Sequence, residues 1–387
     1  MSHPRTHLMI DLKDTPPHCS ELVAHPPRRL PLGTFAVHQL QLSANQTRPT
    51  VPSRAVHAGC NCQCRADTFA SMTTPNRPVP LILDTDIGDD VDDVFALLLA
   101  VRDPAYDLLA VTVVYGQVEA RARLARHVLD LAGRPDIPVA IGSSDSLAGP
   151  VNPGDRGNSM ASADEVMPGL GSSEWDDLGA RIDPRPASEL IIELVRNVTV
   201  PPVLAAIGPL TNIAQVLRQA PDIAGRVASL VIMGGRLGEG SIVGEHNLNM
   251  DPEAASIVLG SAAPMRLGTF DVTRDAVLGH DDVERLRAGD PACRSAGDQL
   301  ALYLRRRNRP ETSMYDPVAM TLAINEDYLR TEVLDIALDV DVPGRKVITT
   351  VDAGSPGAVK MQASIAIDVP AFHAHLMNTI TGIPASE

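Results

Sequence analysis

The chain has 387 residues, 44% of them hydrophobic, and a formal net charge of −15. That is ample apolar material for one large core, or for one domain and a tail. The acidity excludes a nucleic-acid surface, the lack of a run of about 18 apolar residues excludes a membrane-spanning helix, and no apolar segment of a secretory leader follows Met1, so a cytoplasmic protein is expected.

Residues 1–77 differ in kind from the rest. They hold nine of the 32 prolines, six of the 11 histidines and four of the five cysteines, and carry +4 against −19 for the remainder. No periodic apolar segment runs through them, so a disordered or irregular extension is expected. Cys60, Cys62, Cys64 and His57 suggest zinc, but their spacing is not the usual knuckle and no second pair follows. The segment can equally be an extension upstream of a start at Met72.

From residue 78 the pattern becomes regular. Val79 to Leu83 reads as a buried strand and Ile87-Gly88 as a tight turn. Val91, Val94, Phe95, Leu98 and Leu99 then fall at helical spacing. Six carboxylates lie between Asp84 and Asp93. Such charges repel and raise each other's pKa, so something positive should sit among them. A helix N-terminus supplies part of it. A hard divalent cation supplies more, because Ca²⁺ and Mg²⁺ take carboxylate and carbonyl oxygens. Acidic residues in a first helical turn are ordinary dipole partners. That leaves Asp84 and Asp86, at the strand's C-terminal end, where α/β sheets bind ligands.

Further strands are expected at 108–114, 138–142, 202–207, 229–233 and 265–270, with helices at 120–131, 188–198, 211–220, 281–288 and 296–306. Thr211 or Asn212 can cap the 211–220 helix, and Asp251-Pro252 opens another. Residues 143 to about 184 read as a long loop. It holds the sole tryptophan, Trp175, which can stack on a nucleobase or simply pack on the surface. Strand and turn alternate over 333–369, and a short helix at 372–378 ends the chain. This alternation predicts an α/β fold, an open, mostly parallel (mixed) sheet with helices on both faces.

Four separated segments resemble, in order, the inosine–uridine preferring nucleoside hydrolase family. They are Asp84-Thr85-Asp86-Ile87-Gly88 leading to Asp92-Asp93, the run Gly208-Pro209-Leu210-Thr211-Asn212-Ile213-Ala214, Glu245-His246-Asn247 followed by Asp251-Pro252-Glu253-Ala254-Ala255, and Tyr315-Asp316-Pro317. The resemblance covers about residues 79–380. It implies a catalytic domain over 78–387 that hydrolyses the N-glycosidic bond of ribonucleosides with Ca²⁺, giving free base and ribose. It also implies a small-molecule nucleoside as partner and a homo-oligomer, dimer or tetramer. By position, the implied metal ligands are Asp86, Asp93, Asp316 and the Ile207 carbonyl, with Asp86 also the general base. Asp92, Gln117, Glu245 and Asn247 would hold the ribose, and Trp175 is a candidate for the base.

The chain departs from the family's pattern at several positions. Ile87 stands for a proline, and two extra residues leave Asp89-Asp90 as an alternative to Asp92-Asp93. Gln117 stands for Asn, and His246 for Phe. Ser241 falls near the place of a ribose-binding Asn. Tyr315 stands where a histidine assists the departing base, and neutral tyrosine is a weaker acid than imidazolium. Leaving-group help then falls to Tyr315 or His246, with His280 between helices as a third candidate. Two other readings remain. A metal-dependent phosphatase would use Asp84 and Asp86, but the surrounding aspartates would repel its substrate. A nucleoside-binding member with little turnover would explain the departures. An all-oxygen ligand set argues against zinc.

Overall fold

The computed structural model describes residues 77–150, 171–237, 245–324, 327–339, 347–350 and 354–382. The irregular extension expected before residue 77, its cysteines and Ser241 lie outside the described residues. Met72–Glu387 is marked off by its contacts as a unit of its own, and the fold is that unit's.

The first half alternates as expected: β1 (Val79–Thr85), α1 (Asp92–Arg102), β2 (Tyr106–Val113), α2 (Val118–Leu131) and β3 (Val139–Ile141), then α3 (Ser172–Ala180) and α4 (Ala187–Asn197). Next come β4 (Val203–Ala206), α5 (Thr211–Gln219), β5 (Ser229–Met233), α6 (His246–Met250), α7 (Pro252–Leu259) and β6 (Met265–Gly268). The turn α8 (Phe270–Thr273), the hairpin strand β7 (Val277–Gly279), α9 (His280–Arg287) and α10 (Pro291–Arg307) follow. β8 (Glu311–Ser313) pairs with β7, and α11 (Tyr315–Thr321) leads to β9 (Leu329–Asp339), β10 (Val347–Thr350), β11 (Val359–Ile367) and α12 (Val369–Thr381).

The main sheet has nine strands in the order β10-β9-β11-β6-β5-β4-β1-β2-β3. β11 through β3 are parallel, and β9 runs antiparallel to both of its neighbours. The sheet is therefore mixed and mostly parallel, with helices on both faces. β1 shows why. Its side chains alternate, so Leu81 and Leu83 join one apolar layer with α1, α2, α10 and α12. Ile82 joins the other, with α4, α5 and α7. A strand covered on both faces reads as a continuous apolar run. α1 is buried from Asp92 to Ala100, the mark of a helix enclosed by other elements.

Local outcomes differ from expectation at three places. Residues 270–273 form a helical turn rather than a strand end, because the Thr269 carbonyl accepts from Val272 and Thr273 N–H. Trp175 lies in α3 rather than in a loop. The N-terminus of α5 has no side-chain cap; Thr211 and Asn212 are used elsewhere.

Candidate active site

β1 lies between β2 and β4, where the chain order reverses. That switch point opens a crevice at the strands' C-terminal ends, the usual ligand site of such sheets. The acidic loop fills it. Gly88 turns the loop at φ +122°, a conformation costly for residues with a Cβ. Gly208, after β4, lets the next turn approach: a Cβ there would stand 2.8 Å from Asp86 Oδ1.

The positive charge demanded by the aspartates is partly an arginine. Arg121 on α2 is fully buried. Its guanidinium donates to the carbonyls of Asp86, of Ile87 (3.1 Å) and of Tyr115 (2.7 Å), and pairs with Asp89 at 2.5 Å. It also braces Tyr115 at a left-handed φ of +70°. The sequence carried a signal for this that went unused: Arg121 interrupts the apolar stripe of Val118, Ala122 and Ala125. Asp90 is held separately, as acceptor from the Tyr303 hydroxyl.

Asp92 and Asp93 open α1, and Asp316 sits in the first turn of α11. The two helix N-termini meet here, and the Asp316 N–H donates to Asp92 Oδ2 at 3.2 Å. Asp93 accepts from the Thr85 hydroxyl. One oxygen from each of Asp92, Asp93 and Asp316 lies within 4.8 Å of the others. Burial pushes all three carboxyls well above the usual carboxylate range. Neighbouring carboxylates add to it: Asp90 on Asp92, Asp86 on Asp93 and Asp92 on Asp316. Burial likewise raises Asp86 to about 6, against the opposing charges of Arg121 and His246. Helix dipoles offset only part of such a charge. A buried, all-oxygen, under-compensated cluster has the donor chemistry of a hard divalent cation site.

A cavity of about 400 Å³ opens over this cluster. Asp86, Asp92, Asp93, Ile207, Glu245, His246, Asn247, Tyr315 and Asp316, all expected from the sequence, line it, together with Asp89 and Asp90. Asn247 Nδ2 donates to the Ile207 carbonyl (2.8 Å) and the Met233 carbonyl (3.2 Å). Glu245 is buried and caps α6, accepting from the N–H groups of Asn247 (2.9 Å) and Leu248 (3.2 Å). Tyr315 is half-buried and stacked on Phe270, with ring centroids 5.4 Å apart. Burial raises its phenol above the ordinary value of 10.0, so it is a neutral hydrogen-bond donor.

Two expected residues do not reach the cavity lining. Gln117 precedes α2, where its carbonyl accepts from Ala120 and Arg121 N–H. Trp175 packs toward α2 because Arg123 lies over its ring at 5.2 Å and donates to its carbonyl at 3.2 Å. Asp84 points away from solvent, accepting from Thr112 (2.5 Å) and Asn212 (2.7 Å), and burial raises its carboxyl to about 7. Asn212 thus ties α5 to β1 instead of capping its own helix, and Thr211 donates to Asp251 at 2.7 Å. Sequence reading missed Arg121, buried under the acidic loop, and the cavity-lining residues Tyr303, Phe270, Arg236, Arg307 and Arg309.

Strand order and site together define an α/β enzyme working on a small molecule at a sheet switch point. Residues 81–374 match the family model described as inosine-uridine preferring nucleoside hydrolase. The chain belongs to that family and is an N-glycosyl hydrolase. It is 30% identical over 305 residues to the pyrimidine-specific ribonucleoside hydrolase RihA of Enterobacter sp. (strain 638), a match covering 75% of this chain and 93% of that protein. An uncharacterised Schizosaccharomyces pombe protein is 34% identical over 242 residues, covering 61% of this chain and 74% of that one. Among solved structures, a purine-preferring ribonucleoside hydrolase from Gardnerella vaginalis is similar with a TM-score of 0.67 at 28% identity. That likeness covers 78% of this chain and 98% of the other. A plant nucleoside hydrolase shares the fold, with a TM-score of 0.65 at 22% identity over 79% of this chain and 100% of that one.

Proposed function

We propose that the protein hydrolyses ribonucleosides to free base and ribose with Ca²⁺ held by Asp86, Asp93, Asp316 and the Ile207 carbonyl. The observation that carries this is the acidic cluster on the cavity floor: oxygens of Asp93 and Asp316 lie within 4.8 Å of each other and of one from Asp92, and Asp86 lines the same cavity with its charge acting on both. Bound there, the cation offsets the carboxylates' charge and lowers the pKa of water at the site. Asp86, ionised at neutrality, accepts the water's proton as general base. Asp92 is oriented by the Asp316 N–H and offers its other oxygen to a ribose hydroxyl. Asn247 spends its amide hydrogens on two carbonyls and keeps its oxygen for the sugar, beside Glu245. These contacts hold the sugar as it passes through an oxocarbenium-like state. Tyr315 donates a hydrogen bond to the departing base. The same reading places the enzyme in the cytoplasm as a dimer or tetramer, which size-exclusion chromatography checks.

The test is release of base and ribose from inosine, uridine, adenosine and cytidine, in EDTA and in Ca²⁺, by the wild type and Asp86→Ala. Ribose release that needs Ca²⁺ and is lost in Asp86→Ala is expected. Binding of Ca²⁺ and nucleoside without release would refute turnover and favour a binding role.

A further inference from the structure

The cavity is acidic at its floor and basic at one wall. Arg236 lies over Phe270, its guanidinium carbon 3.7 Å from the ring centroid, and Phe270 stacks on Tyr315. Arg309 lines the same cavity as Tyr315, and Arg307 lies 5.5 Å over the Tyr303 ring. All of these side chains line the one cavity.

A simpler explanation covers part of this. Arg305, Arg306 and Arg307 end α10, where basic residues suit the helix dipole. It does not cover Arg309, which lies beyond the helix. Asn308 takes a left-handed φ of +50°, and the Arg309 N–H returns to the Leu304 carbonyl at 3.0 Å. This closure ends the helix and brings residue 309 onto the cavity wall. Among the described residues, no carboxylate forms an ion pair with Arg307 or Arg309. Yet six aspartates line the same cavity. In a chain of net charge −15, the guanidiniums of Arg307 and Arg309, on the cavity wall without a carboxylate ion pair, are placed for an incoming anion.

A flat ring belongs on that aromatic wall, since stacking serves any heterocycle. Arginine recognises a planar carboxylate or similar oxyanion at the ring's edge, often through two hydrogen bonds. We propose that the base end of the cavity selects ribosides whose base carries an anionic group at neutral pH, a carboxylate or an ionised oxo group. This rests on the hydrolase reading above. In the reaction, water's oxygen bonds to C1′, the C1′–N bond breaks, its electron pair stays on the base nitrogen, and the water's proton passes to Asp86. The guanidiniums face the ring on which that pair settles, and fixed charge aimed at developing charge lowers the barrier.

The experiment compares kcat/KM within matched pairs in Ca²⁺: nicotinic acid riboside against nicotinamide riboside, and xanthosine against inosine. It uses the wild type and the double variant Arg307→Gln/Arg309→Gln. The wild type should favour the anionic member by about tenfold or more, as expected of one charge-assisted hydrogen bond. The double variant should bring that ratio toward one. Taking the ratio within one preparation cancels any change in folded fraction. A wild-type ratio of one or less, or a ratio the substitutions leave unmoved, overturns the proposal. Inosine 5′-monophosphate is the third arm: an arginine-dependent preference for it over inosine would put the anion on the sugar and overturn the assignment to the base. Absence of ribose release from every riboside refutes instead the hydrolase reading, and the inference with it.

Discussion

Arg121→Met tests whether the acidic loop depends on its buried counter-charge. The methionine keeps most of the stem and removes the guanidinium. Asp89 then loses an ion pair of 2.5 Å, and the carbonyls of Asp86, Ile87 and Tyr115 lose their donors. Removing one partner of a buried pair costs about 3–5 kcal/mol. Asp89 retains a 13% exposed side chain, so water recovers part of that, and a loss of about 3 kcal/mol is expected. Urea unfolding in EDTA measures it as a shifted midpoint with an unchanged slope. Adding Asp89→Asn removes the orphaned charge, so the pair should couple by about 1–2 kcal/mol. A loss under about 1 kcal/mol, or strict additivity with Asp89→Asn, would show that Arg121 is not what balances the loop.

Two further outcomes follow from particular contacts. In Gly268→Ala the new Cβ would stand 2.5 Å from the Ala319 Cβ and 2.8 Å from its Cα, forcing β6 from α11. A loss of about 1–3 kcal/mol is expected, with weaker Ca²⁺ binding through Asp316; calorimetry that finds neither would refute the contact. Asp282 tests pH dependence. Burial pushes its carboxyl up, but His373 at 2.8 Å and the Gly279 N–H outweigh this and hold it below 3.8. A depressed folded pKa gives stability that is complete above the unfolded value and lost as pH falls through the folded one. Asp282→Asn should therefore be less stable at neutrality and lose less on acidification below about pH 4. Parallel pH profiles for the two proteins would contradict it.

Local pattern was legible and distant pairing was not. β5 spans Ser229–Met233 as expected, because five buried residues in a row leave little choice. α10 begins at Pro291, five residues before the expected start. Its signal was present: Asp290 accepts from the Cys293 N–H at 3.0 Å, the same Asp-Pro opening recognised at Asp251-Pro252. Composition misled at Trp175, since a polar, glycine-rich stretch still holds the nine-residue α3. For the site, the dense run Asp84–Asp93 announced an acidic centre. Its division of labour did not show, because Asp89 answers to Arg121, Asp90 to Tyr303, and Asp92 and Asp93 to Asp316. Each of those partners is set by tertiary packing.

The separation of Asp92 from Asp316 also orders events in time. Their hydrogen bond spans 224 residues of chain. At about 5–20 residues per second, a ribosome exposes the whole acidic run for about 10–45 s before Asp316 is made. During that interval the nascent chain carries the charge of a cation site without its closing ligand. With the proposed ligand set, cation capture would belong to the finished chain, and an incomplete product released early would lack the carboxylate that α11 brings.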